Sequence, residues 1–292
     1  MSKNLHKYYY NDYFTGIDFS YLENEGAKAP DGVVATIKQR NQALTGNDCS
    51  TRLDGKWTIK PEYSIPNPYS SEQFSMEIQY PGLVTGIGIN HEARIEGEFK
   101  LGVHFDWTHG MPVIYGSSVK GVLRSWFMEF YKTSKNKYYE CGIDADDLLR
   151  DIFSGEVRDI KTEKEKYKDN WAETVKNVKK RVYKGKSIYD RDIFFDAVIV
   201  KPDTKGRILC SDSITPHGDN PLKNPTPITF LKIAPGCTIQ FRFKLVPTKN
   251  KSTDGTELTF SEENKIAIFK EILTTVGIGA KTNVGYGQLV EN

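Results

Sequence analysis

The stretch SEENKIAIFKEILTTVGIGAKTNVGYGQLV, residues 261–290, carries the strongest indication of the fold. Ser261 is placed to cap a helix, and the two glutamates that follow it favour the helix N-terminus through the dipole. Gly277 is placed to end that helix, after which VGYGQLV reads as a short strand. One stripe at helical spacing is formed by Ile266, Phe269, Ile272, Leu273 and Val276. The stretch therefore predicts a helix, a glycine-rich loop and a final strand.

Upstream of this stretch, the hydrophobic pattern alternates between strand and helix periods. TIQFRFKLV and FKLGVHFD place apolar residues at every second position, which is typical of half-buried strands. GSSVKGVLRSWFMEFYK has helical spacing instead, with Ser117 or Ser118 as the natural N-cap. The strongest elements are strands at 99–106, 193–200, 238–246 and 284–290 and helices at 117–132 and 261–276. Their order, βαββαβ, predicts an α+β fold of the ferredoxin-like class, with both helices on one face of the sheet.

Residues 1–75 do not fit this pattern, and we expect them to form an N-terminal extension packed on a core unit at 76–292. Aromatic side chains cluster near the start of the extension, at Tyr8, Tyr9, Tyr10, Tyr13 and Phe14. Such a cluster could stack nucleic-acid bases, but core packing is its more common role. Residues 25–70, which are rich in Gly, Pro, Asn and Lys, read as a surface segment.

Charge is concentrated in one part of the chain. With 40 Lys and Arg against 38 Asp and Glu, the net charge is only +2, so any nucleic-acid footprint has to be a local patch. A charged helical insertion is predicted at about 133–190, with one helix near 144–153. Its second half, 170–186, holds mostly basic charges. That half is either a solvated surface, which is the usual case, or a basic arm near nucleic acid.

The cellular location follows from two further patterns. The cysteines at 49, 141, 210 and 237 are scattered without a C-x-x-C pair, which argues against a zinc ribbon and for a reducing compartment. No stretch has an apolar signal core or approaches the length of a membrane span. We therefore expect a cytoplasmic protein without a membrane partner.

Glycine is unusually dense near the end of the sequence, at Gly277, Gly279, Gly285 and Gly287. The segment GAKT resembles part of a P-loop, but it follows a helix and leaves no room for a nucleotide fold, so an NTPase is excluded. Glycine amides can instead hold a phosphodiester backbone without reading its bases. We predict one cradle for RNA made by this loop and the start of the first helix, with contacts from Ser117, Ser118, Lys120, Arg124, Gly279, Ala280, Lys281, Thr282, Asn283, Gly285 and Tyr286.

Several of these segments resemble a known family. GIGAKTNVGYGQL looks like the C-terminal glycine-rich loop of the RAMP superfamily, the repeat-associated proteins of CRISPR systems. PVIYGSSVKGVLRSW resembles the superfamily's other hallmark, although Tyr115 stands where the family commonly has proline. YPGLVTGIGINHE, IFFDAVIV and CSDSITPH with NPTPITFLKI make the chain similar to the family of sixth subunits in the Cmr series of type III-B effector complexes. The resemblance runs in order from about residue 76 to 290.

This resemblance implies a role in antiviral defence. Family members have an RRM-like fold, bind the CRISPR RNA backbone and stack into a filament that pairs with target RNA. The sixth subunit caps that filament near the 3′ end of the guide. Its implied neighbours are the major backbone subunit, the first Cmr subunit and the small helical subunit.

Catalysis is not expected. In the related backbone subunits, an aspartate in the loop before the first helix cuts target RNA, but the corresponding loop at 88–99 has no aspartate. His91 and Glu92 are its only plausible acid–base pair, and we expect His91 to contact RNA instead. The alternative is a metal-independent endoribonuclease of the same superfamily that processes repeat RNA. Asp212 and His217 alone do not make a metal site, and no cofactor is predicted.

Overall fold

A computed structural model describes residues 4–46, 70–86, 93–100, 102–133, 141–170, 172–173, 181–215, 227–251 and 256–291. The helices are α1 (Leu5–Lys7), α2 (Asp31–Thr45), α3 (Gly116–Thr133), α4 (Ala145–Ser154), α5 (Ile160–Lys166) and α6 (Glu262–Val276). The strands are β1 (Glu72–Ile78), β2 (His104–Phe105), β3 (Pro112–Ile114), β4 (Glu156–Arg158), β5 (Tyr183–Gly185), β6 (Ile193–Phe194), β7 (Ala197–Lys201), β8 (Leu209–Ile214), β9 (Ile228–Ile233), β10 (Thr238–Lys244), β11 (Thr248–Lys251), β12 (Glu257–Phe260) and β13 (Leu289–Glu291).

The main sheet has the strand order β13-β1-β10-β7-β3-β2, and all neighbouring strands are antiparallel. Within it, β1, β7, β10 and β13 reproduce the ferredoxin-like arrangement, since α3 lies between β1 and β7 in sequence and α6 lies between β10 and β13. The predicted fold class is confirmed. Paired registers such as Phe74 opposite Phe241 place the apolar side chains of adjacent strands side by side.

The first strand of this unit was predicted wrongly. It is β1, not residues 99–106. Among the described residues of that range (99–100 and 102–106), only β2 is a strand, and it lies at the far edge of the sheet. Phe99 is buried in the position expected of a strand residue, but its backbone bonds to tyrosine side chains: the Tyr9 hydroxyl donates to its carbonyl over 2.7 Å, and its N–H donates to the Tyr13 hydroxyl over 3.0 Å. The alternating pattern thus reflects the burial of side chains such as Phe99, and it does not mark a strand whose backbone pairs with neighbouring strands.

Both long helices of the unit pack together over the sheet. Val119, Leu123 and Phe127 of α3 are buried, as are Ile268, Phe269, Ile272 and Leu273 of α6, whereas Ile266 and Val276 of the predicted stripe are half-buried. The Phe269 ring lies 5.5 Å from that of Phe243 in β10. Ser261 caps α6 as predicted, since its side chain accepts from the Asn264 N–H. The start of α3 differs from the prediction, because the helix begins at Gly116 and neither serine is its N-cap.

The N-terminal residues pack on this unit. Tyr9 and Tyr13 are fully buried in the same apolar core as the sheet, which confirms core packing for these members of the aromatic cluster. Within 25–70, which was predicted to be a surface segment, residues 31–45 form the helix α2, with Ile37 and Leu44 buried, and residues 47–69 lie outside the described residues. Because β1 begins at Glu72, the boundary placed at 75/76 falls inside a strand. The division into an extension and a core unit stays a prediction.

The charged insertion is stabilised by ion pairs among the residues that the structure describes there. A helix is present where 144–153 was predicted, as α4, and β4 pairs with β5 in a short ribbon. Arg181 lies 2.6 Å from Asp144, and Lys186 lies 2.7 Å from Asp151. These basic side chains are therefore held by carboxylates of the insertion itself. None of the helices in the described ranges is both long enough and apolar enough to cross a bilayer.

Candidate nucleic-acid interface

The glycines of the closing loop make room for the protein's own backbone. A Cβ at Gly277 would lie 2.6 Å from the carbonyl oxygen of Gly287, and one at Gly287 would overlap the carbonyl oxygen of Ile278. A Cβ at Gly279 would overlap the carbonyl oxygen of Val84. These three glycines also have positive φ angles, which side-chain-bearing residues rarely adopt. These glycines are therefore needed for the backbone conformation of the loop itself, independently of any ligand.

The inner side of the loop is anchored to the segment that follows β1. The Ala280 N–H donates to the Val84 carbonyl over 2.7 Å, and the Gly287 N–H donates to the Gly82 carbonyl over 2.8 Å. Within the loop, the Ile278 N–H donates to the Gly287 carbonyl over 3.0 Å. Of the seven loop residues predicted to contact RNA, three (Ala280, Gly285 and Tyr286) already donate their backbone N–H groups to carbonyls of the protein, so these amides are not available to a ligand.

The outer side is a short tip at 281–283. Lys281 sits in the left-handed region with φ of 61°, and its side chain is exposed and forms no ion pair among the described residues. Asn283 is exposed and Thr282 is half-buried. Gly285 borders the tip, and a Cβ there would meet only the Pro81 side chain, at 3.7 Å. The tip presents one cation and two hydrogen-bonding side chains, which suits a phosphate better than a base edge.

Tyr286 turns away from this surface. It is buried, and its hydroxyl donates to Asp212 over 2.7 Å, while Lys232 lies 2.5 Å from the same carboxylate oxygen. Burial opposes the charge of Asp212, but the hydrogen bonds from Lys232 and Tyr286 outweigh it and lower the pKa of Asp212. The prediction that Tyr286 contacts RNA is not supported by this inward position. The Asp212 carboxylate already accepts hydrogen bonds from Tyr286 and Lys232, so its role is structural, beneath the loop.

At the start of α3, the groups available to a phosphate are mainly side chains, and the first backbone N–H group is not free. The Gly116 N–H donates to Asp196 over 2.7 Å, so a carboxylate of the protein already takes the first amide. Ser117 and Ser118 are exposed, as is Arg124 one to two turns further along the helix. The half-buried Lys120 holds its ammonium 5.8 Å from the centre of the Phe194 ring. Any phosphate bound here would meet hydroxyls and two cations.

A continuous strip of contacts connects the loop to α3. From Val84, which binds the loop, the chain continues to Thr85, whose hydroxyl accepts the His104 N–H over 2.6 Å. The His104 ring in turn stacks on Tyr115, with ring centres 4.9 Å apart and planes tilted by 22°. The sequence analysis did not assign Thr85 or His104 to the site. The second glycine-rich stretch, PGLVTGIG at 81–88, was the available signal, since it provides the strip's first half.

The residues considered for catalysis are less informative. His91 and Glu92 lie outside the described residues, as does His217. Among the described residues there is no group of three or more His, Cys, Asp and Glu that could hold a metal ion. The prediction that His91 contacts RNA therefore stays a prediction.

This architecture is that of an α+β protein of the ferredoxin-like class, in which a glycine-rich loop joins the second helix to the last strand. Within that class, the chain belongs to the RAMP superfamily, whose family model matches residues 75–290. No curated protein is significantly similar to it in sequence.

Two solved structures are similar to the chain at 19% identity. One is the cryo-EM structure of the type III-B Cmr-beta bound to cognate target RNA, with a TM-score of 0.45 over 75% of this chain and 57% of that chain. The other is the crystal structure of Cmr6 from Pyrococcus furiosus, with a TM-score of 0.33 over 76% of this chain and 97% of that chain. The present chain spans little more than half the length of the Cmr-beta chain.

Proposed function

We propose that this RAMP protein is a non-catalytic subunit of a type III-B Cmr effector complex that binds CRISPR RNA and caps the backbone filament near the guide's 3′ end. The observation that carries the RNA-binding part is the tip at 281–283, which presents Lys281 and two polar side chains outward from a rigid loop. The type III-B assignment is supported by the ordered motifs of the sequence and by membership of the superfamily.

Binding of the RNA backbone, without reading of bases, fits the chemistry of this surface. Lys281 at the tip and Lys120 and Arg124 on α3 supply positive charge, while Ser117, Ser118, Thr282 and Asn283 supply hydrogen-bonding groups. Point charges and short polar groups position phosphates but carry little sequence information. One subunit of this size would contact only a few phosphates, so the remaining affinity for the guide would come from its neighbours in the filament, which we take to be the major backbone, first and small helical subunits.

The non-catalytic part rests on the sequence of the loop at 88–99, which lacks the aspartate that the related cutting subunits use. The alternative function, endonucleolytic processing of repeat RNA, would need a base for the 2′-hydroxyl and an acid for the leaving oxygen. His91 and Glu92 are the residues that would have to supply them. No cofactor enters the proposal, and the place of action would be the cytoplasm.

The test is reconstitution of the Cmr complex around this chain in cells that express a CRISPR array. The guide RNA that copurifies is quantified, and its 3′ end is mapped by nuclease protection. Lys281→Ala should lower guide retention and shorten protection at that end. Lys249→Ala is the matched control, because Lys249 is also exposed but lies on the separate β11–β12 hairpin.

Equal retention and an equal protected end for wild type, Lys281→Ala and Lys249→Ala would reduce the loop to a structural turn. Failure of the chain to join the complex would refute the proposed role altogether. Cleavage of repeat RNA by the purified chain would establish the alternative function.

A further inference from the structure

Aromatic rings are exposed on the surface beside the proposed RNA site. The His6 ring contacts two other rings: that of Trp107, with ring centres 4.4 Å apart and planes tilted by 48°, and that of Tyr10, with ring centres 4.6 Å apart and planes tilted by 42°. Trp107 is 78% exposed and Tyr10 is 39% exposed. In the N-terminal aromatic cluster, Tyr9 and Tyr13 thus serve the core, while Tyr10 faces outward.

The turn that carries Trp107 is held in place by its own hydrogen bonds. The Asp106 carboxylate accepts the N–H groups of Thr108, over 3.0 Å, and His109, over 2.6 Å. The Gly110 carbonyl accepts the His6 N–H over 3.3 Å, which ties the turn to the N-terminal helix. The His6 ring thus contacts the indole of Trp107, while most of the Trp107 side chain is exposed to solvent.

The exposed rings are continuous with the strip that joins the glycine-rich loop to α3. Trp107 lies two residues after the end of β2, and His104 of that strand belongs to the strip. Tyr115 stacks on His104, which Thr85 holds. Burial lowers the pKa of His104, which favours the neutral form of its stacked ring. Rings that follow one another beside a phosphate-binding surface are the arrangement by which proteins hold single-stranded nucleic acid.

We propose that Trp107, His6 and Tyr10 form a stacking platform for an unpaired base of the RNA whose backbone the glycine-rich loop holds. This inference rests on the proposed function and adds a base-contacting surface to it. A base fits better than a protein partner because the residues next to Trp107 in its turn, Asp106, Thr108 and His109, are all polar, and Thr108 and His109 are exposed. A protein hot spot usually lies inside a larger apolar surface, whereas a flat base needs only the face of one ring.

The experiment compares two strands and four variants of the full chain at low salt, one of which is Lys281→Ala. The strands are a short oligoadenylate RNA and an abasic strand of the same length, which keeps the phosphates and removes the rings. Trp107→Ala should weaken oligoadenylate binding about tenfold, within the range for one base on one aromatic side chain. It should leave abasic binding unchanged. Trp107→Phe, which keeps a ring, should recover most of the loss, and the control Trp126→Ala, from the 40% exposed tryptophan of α3, should bind like wild type.

Three outcomes would overturn the platform. Oligoadenylate binding equal to wild type in Trp107→Ala, while Lys281→Ala weakens it, would refute the platform and leave the proposed function intact. Equal losses for the oligoadenylate and the abasic strand would show that Trp107 does not act by stacking. Normal RNA binding by Trp107→Ala, together with loss of assembly into the Cmr complex, would assign the rings to a protein neighbour. Binding of neither strand by wild type would instead refute the proposed RNA contact itself.

Discussion

Substituting Gly287 by alanine should damage the protein even in the absence of RNA. The added methyl group would overlap the Ile278 carbonyl oxygen, and the residue has φ of +72°. A side chain in the left-handed region costs about 1–2 kcal/mol. Relief of the overlap would disturb the hydrogen bonds between Ile278 and Gly287 and between Gly287 and Gly82, each with a net value of about 1 kcal/mol. The sum is about 3–4 kcal/mol, a large part of the stability of a typical domain.

Gly285→Ala is the matched control for this change. Gly285 also has positive φ, at 95°, but the nearest atom to an added Cβ is Pro81 Cδ at 3.7 Å, so only the backbone cost of about 1–2 kcal/mol remains. Urea denaturation of both variants and wild type measures the difference. A Gly287→Ala protein as stable as Gly285→Ala would refute the conclusion that the glycines serve close backbone contacts.

Further outcomes concern the core, the underside of the loop and catalysis. Lys265 and Asp192 form an almost fully buried pair at 2.6 Å, so Lys265→Met should cost about 3–5 kcal/mol in urea denaturation, whereas Lys270→Ala, which breaks an exposed pair, should cost less than about 1 kcal/mol. Tyr286→Phe should cost about 1.5–3 kcal/mol through one lost hydrogen bond to the Asp212 carboxylate and leave RNA affinity unchanged; a clear loss of affinity would contradict its inward position. The purified chain should leave repeat and target RNA intact with and without divalent metal, and cleavage that disappears on His91→Ala would contradict this.

Elements with a long, regular pattern could be predicted from the sequence. The helical stripes of α3 and α6 and the alternation in β10 each extend over several residues. These three elements form in the structure because their apolar side chains pack against one another in the core. The first strand was misassigned because Phe99, Val103 and Phe105 are buried at alternating positions like strand residues, yet the backbone of Phe99 bonds to the Tyr9 and Tyr13 side chains and not to a neighbouring strand. Helix α2 was missed because it contains Gly, Val, Thr and Asn at many positions and buries few side chains.

The candidate site was predictable in part, for a similar reason. The density of glycine correctly indicated a close approach of backbone, but the sequence does not show which backbone approaches. The structure identifies it as residues 82–84 and the loop itself for Gly277, Gly279 and Gly287. Likewise, the sequence around the start of α3 does not show that Asp196, which is distant in sequence, accepts the hydrogen bond of the first helix N–H group. Both the backbone near these glycines and the partner of the first α3 amide are set by contacts between segments that are distant in sequence.

The most direct test of RNA-backbone binding is the salt dependence of affinity for single-stranded RNA. Contacts to about four phosphates predict a slope near −3 in a plot of log affinity against log salt concentration. Lys281→Ala should flatten that slope by somewhat less than about one unit for every RNA sequence, and Lys249→Ala should leave it unchanged. A slope for Lys281→Ala equal to that of wild type would contradict the account, because the exposed cation of the loop would then neutralise no phosphate.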